Sequence, residues 1–101
     1  KYIITENRLD TVIFKFLDTI MALLTKKGKY VDIVFHFPGE EFGVLGWEKS
    51  GNLYIYYTLR NEVSKYFGLE KVDSLEVIGK WVEDRYNLKV IDTLVKFYAF
   101  P

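Results

Sequence analysis

The chain has no cysteine, two prolines, one methionine and a single histidine among its 101 residues. Without cysteine there is no disulfide scaffold, no thiolate zinc site and no cysteine nucleophile. An excess of either charge is missing as well, because fourteen basic residues balance fourteen acidic ones. That balance removes the electrostatic footprint of a dedicated duplex-DNA binder, and equally that of an acidic decoy. Long apolar runs are absent too. The stretch from Val12 to Leu24 is broken by Lys15, Asp18 and Thr19, so it is amphipathic rather than membrane-spanning. Glu6, Asp10 and Asp18 place charge where a signal peptide needs an apolar run, and no N-x-S/T sequon occurs. A cytoplasmic compartment is the expectation. The chain starts at Lys1, which leads us to expect an initiator methionine or a longer precursor before it. A polar tail is also lacking: Phe97, Tyr98, Ala99, Phe100 and Pro101 form an apolar end that must pack on its own domain or on a neighbour.

Half of the residues are hydrophobic and 18% are aromatic, the composition of one small globular domain over residues 1–101. At this length one core buries roughly 60–68% of the unfolded surface, with no room for a second.

The apolar spacing predicts a helix from a Thr5 N-cap to about Leu24. Leu9, Val12, Ile13, Phe16, Leu17, Ile20, Leu23 and Leu24 follow the helical period, and Phe14 and Met21 widen that face. So broad a face requires cover on two sides, by a sheet and by either a second helix or a partner chain. Lys26-Lys27-Gly28-Lys29 breaks the pattern, with Gly28 read as a helix stop. Three strands follow, at about 31–37, 42–49 and 53–59, joined by turns at Pro38-Gly39-Glu40-Glu41 and Ser50-Gly51-Asn52. The helical period returns after Arg60: Val63, Tyr66 and Phe67 mark a short helix stopped by Gly68. A second helix, capped by Asp73 or Ser74, turns Leu75, Ile78, Trp81, Val82 and Tyr86 inward and ends near Asn87. Alternation from Lys89 onward predicts a last strand in the same sheet. Tyr2 to Ile4 is a further extended piece. The fold expected is α+β in the order α-β-β-β-α-α-β, an antiparallel sheet of three to four strands with about three helices mainly on one face.

Catalytic constellations are hard to assemble. A hydrolase using His36 with the neighbouring Glu40 and Glu41 carboxylates is the third and least favoured reading, because the spacing fits no metal signature and crosses a turn, so a plain strand histidine beside a solvated turn explains it better. Ser50, Ser64 and Ser74 read as turn, helix surface and helix cap, and no G-x-S-x-G elbow is present. Gly39, Gly43 and Gly46 lack the helix N-terminus and lysine of a phosphate loop, and read instead as bulges or close contacts. Nothing selects a carboxylate pair for glycoside hydrolysis. The sequence calls for no cofactor, no metal, no catalytic residue and no membrane.

What the sequence offers is a second sheet face that is less polar than solvent requires, carrying Val34, His36, Val44, Tyr54, Tyr56 and Thr58. Protein association, with itself or with another protein, needs the fewest special assumptions. Its candidate residues are Val34, His36, Val44, Tyr54, Tyr56, Phe97, Tyr98 and Phe100. The alternative is single-stranded nucleic acid stacked on Tyr54 and Tyr56, with phosphate contacts from Lys26, Lys27 and Lys29. Even if all these positions are covered within one monomer, a free sheet edge remains and would permit homodimerisation.

Three stretches carry a resemblance: Lys1-Tyr2-Ile3-Ile4-Thr5-Glu6-Asn7-Arg8-Leu9, the block from Gly43 to Ile55 with Gly46-Trp47, and Glu76 to Leu88 with Gly79-Lys80-Trp81-Val82. Together they resemble small uncharacterised proteins of large tailed bacteriophages. The resemblance implies a viral source, in a host cytoplasm or a virion, and a role as virion component, host-takeover factor or inhibitor of a host protein. None of these strings is a functional motif, and the resemblance assigns no residue a role.

Overall fold

The computed structural model describes residues 3–20 and 24–100, with backbone alone at residues 3–9, 20 and 24. The described elements are helix α1 (Ile3–Ile20), strands β1 (Leu24–Lys27), β2 (Ile33–His36), β3 (Leu45–Trp47) and β4 (Asn52–Tyr56), helices α2 (Tyr57–Phe67) and α3 (Lys71–Tyr86), and strand β5 (Asp92–Lys96). The sheet order is β1-β2-β3-β4-β5. The first three pairings are antiparallel, whereas β5 runs parallel to β4 with Tyr54 opposite Leu94. The result is a compact α+β domain with three helices and a five-stranded mixed sheet.

Two features correct the sequence reading of the sheet. β5 is parallel rather than antiparallel, because α2 and α3 form the crossover that carries the chain back before it re-enters the sheet beside β4. β1 arises from Leu24-Thr25-Lys26-Lys27, read above as the end of a helix and its breaker. Too short and too polar to alternate, it is a strand because β2 supplies its ladder, with Thr25 opposite Phe35 and Lys27 opposite Ile33. Gly28 is accordingly the start of the β1–β2 connection, where its N–H donates to Asp32 O at 3.3 Å, and not a helix stop.

The helix limits shift for equally physical reasons. α1 already includes Ile3 and Ile4, so Thr5 lies inside the helix and no extended piece occupies those two positions; Tyr2 lies outside the described residues, as do Met21 and Leu23. α2 begins at Tyr57, with Tyr56 extended before it, whereas alternation alone carried the strand on to Leu59. Leu59 and Val63 are buried one helical turn apart, and that i, i+4 spacing turns both towards the core. α3 starts at Lys71 rather than at an Asp73 or Ser74 cap, and Ser74 is instead buried, its Oγ donating to Glu70 O at 3.1 Å. Both helices end as expected, at Gly68 (φ 65°) and Asn87 (φ 55°).

The core lies between the sheet and the helices. Phe35, Leu45, Leu53 and Ile55 project from one sheet face against Ile13 and Leu17 of α1, Leu59 and Val63 of α2, and Ile78, Trp81 and Val82 of α3. Part of the breadth of α1 is met inside the chain: Phe16 stacks on Tyr66 of α2 at 4.4 Å between centroids, and Phe14 faces the Arg85 guanidinium at 5.4 Å, while Val12 stays exposed.

α1 and α3 are also joined by a polar clasp. Asp18 accepts from Trp81 Nε1 (2.9 Å), Arg85 Nε (2.9 Å) and Arg85 Nη2 (2.8 Å). The Arg85 hydrogen bond in particular holds the Asp18 carboxyl below its ordinary value, the Trp81 indole adding to it and desolvation opposing it. A carboxyl with a depressed folded-state value stabilises fully above its unfolded value of 3.8. That contribution fades as pH falls through the folded value. Asp18→Ala should cost about 1 kcal/mol at neutral pH, since water can replace a partly exposed carboxylate. The deficit should shrink in acid, and urea melts between pH 2 and 7 check this; a constant deficit would contradict the clasp.

Candidate interaction surface

The second sheet face is assembled from alternate residues: Lys26 on β1, Val34 and His36 on β2, Gly46 on β3, Asn52, Tyr54 and Tyr56 on β4, and Asp92, Leu94 and Lys96 on β5. Its centre is covered by the chain's own C-terminal segment. After β5 the backbone crosses the sheet and bridges Gly43, with Gly43 N–H to Phe100 O at 2.8 Å and Phe100 N–H to Gly43 O at 3.1 Å. A Cβ on Gly46 would stand 2.6 Å from the Phe100 ring, and one on Gly43 would stand 2.2 Å from Val34 Cγ1. These two glycines leave the room that the Phe100 ring and Val34 fill. Both side chains are only 2% exposed.

That placement corrects the interaction set read from the sequence. Val34 and Phe100 are interior. Val44 is not on the second face either; it packs against the main core, its N–H donating to Phe35 O at 2.8 Å. Thr58 belongs to α2 and leaves the sheet altogether. His36 is half-buried, and its Nδ1 lies 3.0 Å from Glu40 O and 3.1 Å from Phe37 O. Two carbonyl acceptors require that Nδ1 carry the proton, so the imidazole pins the β2–β3 turn through backbone oxygens, not through the Glu40 or Glu41 carboxylates.

The two tyrosines are half-buried and engaged. Tyr54 Oη donates to Glu48 Oε1 at 3.0 Å, the Lys96 ammonium lies 5.9 Å from its ring centroid, and the neighbouring carboxylate pushes its phenol above the ordinary value. Tyr56 meets Tyr57 edge-on at 5.2 Å, and Tyr57 meets Phe97 at 5.7 Å. Lys26 and Lys27 stand on β1, three strand spacings or about 14 Å from β4, and Lys29 faces the Tyr30 ring at 5.5 Å. The structure therefore does not bring the lysines and tyrosines of the nucleic-acid reading into one patch.

Among the described residues Val12, Tyr30, Phe42, Tyr66 and Val72 are exposed singly on other elements and loops, whereas exposed apolar side chains gather in sequence around the outer edge of β5. Phe97 (61% exposed) and Tyr98 (80%) stay on the surface as apolar candidates, and two residues not singled out in the sequence join them, Ile91 (67%) and Leu94 (37%). Beside the start of β5 lies a groove of about 400 Å³ against α3, walled by Val72, Glu76, Lys80, Glu83 and Ile91. Lys80 in that groove is paired with Glu76 (3.5 Å) and Asp10 (3.7 Å), and Glu83 accepts from Val90 N–H at 3.0 Å. Its charges thus serve the fold. Among the described residues no group of three or more histidine, aspartate or glutamate side chains is placed to hold a metal, and no helix is long and apolar enough to cross a membrane.

The sequence signal for this edge was available but needed the topology. Ile91, Leu94 and Phe97 sit in a stretch whose alternation looked like an ordinary two-faced strand. Only its position at the rim, beyond β4, exposes them. Compared with family models, curated proteins and solved structures, the chain matches none, so no link to phage proteins comes from that side and the functional reading rests on the site itself.

Proposed function

We propose that the chain is a non-enzymatic protein-interaction domain that docks a protein partner along the free edge of β5 and the aromatic end of that strand. One observation carries the reading: Ile91, Leu94, Phe97 and Tyr98, all exposed, fall within eight consecutive residues on and beside β5, a strand paired on its β4 side alone among the described residues. Edge strands present unpaired N–H and C=O groups that another chain can extend. The opposite edge is less inviting, since β1 carries exposed Lys26 and Lys27, the residue type that discourages strand addition. A role as virion component or host-directed accessory factor is the form this association takes if the phage resemblance holds. Single-stranded nucleic acid draws less support, because the Tyr54 hydroxyl already bonds a carboxylate and the lysines lie across the sheet.

Ile91→Lys combined with Phe97→Lys tests the reading. Both side chains are exposed, so the thermal midpoint should move by only a few degrees. Association, measured by sedimentation of the pure protein and by cross-linking in cell extract, should fall at least tenfold. Association unchanged by both substitutions would remove β5 as the docking edge.

A further inference from the structure

The partner that best fits this edge is the edge itself. The inference rests on the reading of β5 as the docking strand and names its occupant. We infer that two copies of the chain pair through antiparallel β5 strands about a two-fold axis at Leu94, joining two five-stranded sheets into one of ten.

The backbone is set for it. The Asp92 N–H donates back to Gly51 O at 3.3 Å, on the β4 side. Alternation along a strand then directs the N–H and C=O groups of Thr93 and Val95 outward. At present the outward Thr93 N–H is occupied by a substitute, the Asp92 carboxylate at 3.0 Å. An arriving strand would replace that acceptor with a backbone carbonyl and release the carboxylate.

The side chains fit a single register. With Leu94 opposite the partner's Leu94, Thr93 meets the partner's Val95 and Asp92 meets the partner's Lys96, while Ile91 and the partner's Phe97 fall just beyond the two strand ends. By symmetry each pairing occurs twice, apart from the central leucine. Asp92-Thr93-Leu94-Val95-Lys96 is thus self-complementary when read against its own reverse: opposite charges at the two ends, and uncharged Thr93, Leu94 and Val95 within. A two-fold interface demands this kind of self-complementarity. A shift by one residue, with the axis between Leu94 and Val95, would set Asp92 against the partner's Phe97 and forfeit both charge pairs. The register also brings the partner's Phe97 to Ile91, at the mouth of the groove beside Val72 of α3, where an exposed ring gains apolar cover. Lys96 lies over the rings of Tyr54 and Phe100 (5.9 and 5.2 Å), on the β4 side, so pairing with the partner's Asp92 swings its ammonium outward to the edge.

The test uses the absence of cysteine. In a non-hydrogen-bonded antiparallel pair the two Cα atoms are about 4.5 Å apart, within the range that a disulfide spans. Leu94→Cys should therefore give a covalent dimer on mild oxidation, whereas Tyr66→Cys on exposed α2 should not. Sedimentation of the purified wild-type chain should show a concentration-dependent dimer. Asp92→Lys should raise its dissociation constant about tenfold by setting like charges opposite each other twice. Adding Lys96→Asp to Asp92→Lys should bring it back to within about threefold of wild type, with circular dichroism verifying that each variant is folded. A dimer that ignores these exchanges and fails to cross-link through Leu94→Cys would overturn the proposal in favour of another interface. A monomer at every concentration would also overturn it. In that case, loss of a different cross-linked protein on Ile91→Lys with Phe97→Lys would leave the docking-edge reading standing, and no change would sink both.

Discussion

Trp81→Ala should lower the unfolding free energy by about 3–5 kcal/mol, the cost of emptying a large buried aromatic site. Trp81 is among the largest fully buried side chains described. It packs edge-on to Tyr86 at 5.6 Å, among the core residues that α1, α2 and α3 press onto the sheet. Its Nε1–H also supplies one of the three bonds to Asp18, so the substitution loosens the α1–α3 clasp along with the core. Against a total stability of about 5–15 kcal/mol for a domain this size, the thermal midpoint should fall by more than about 10 °C. Trp81→Phe should be milder, because a ring remains and mainly the indole bond is lost. Calorimetry on the two variants checks the ranking; a Trp81→Ala protein within about 1 kcal/mol of wild type would mean that α3 is not seated as described.

The second large effect concerns the other face of the sheet. Phe100→Ala should also cost about 3–5 kcal/mol, because the ring is buried although it lies next to the chain's end. Losing it uncovers Val34 and frees the segment that bridges Gly43, so binding of a hydrophobic dye should rise as stability falls. Gly46→Ala supplies the converse experiment. A Cβ there would stand 2.6 Å from Phe100 Cε1 and Cζ and 3.1 Å from Val31 Cγ2. The ring must move, at about 1–3 kcal/mol. Since both changes act on the same contact, they should not add: Gly46→Ala should be nearly harmless once Phe100 is already alanine. Additive effects would show that Phe100 does not lie over Gly46.

These two residues also mark how far the sequence could be read. Helical and strand periods located the elements, because burial of one face leaves a regular trace in the order of apolar residues. Trp81, Ile78 and Val82 were assigned inward on that basis and are buried. The same logic failed at Leu59, where a period of two and a period of four agree on the same residues until α2 decides between them. It failed also at β1, where Lys26 and Lys27 have no apolar period to reveal a strand held by its neighbour.

The candidate surface was legible in composition and illegible in position. An excess of aromatic and apolar residues beyond the needs of one core face was visible in the chain. Which of them are free was not, because a strand read in isolation does not say where it lies in the sheet. Val34 looked exposed and is covered by Phe100; Ile91 was assigned no face and lies open at the rim.

By itself the sequence determined the class of fold, the inward residues of α3 and of the central strands, and the exclusion of cysteine and thiolate-metal chemistry. These follow from local residue order and from residue types that are simply missing. The tertiary structure alone decided that β5 runs parallel at the edge, that the apolar C-terminal segment closes the second face over Gly43 and Gly46, and that Ile91, Leu94, Phe97 and Tyr98 gather exposed around that edge. Those are outcomes of non-local pairing, settled by contacts between residues up to 57 positions apart, Gly43 with Phe100, about which neighbouring residues carry no signal.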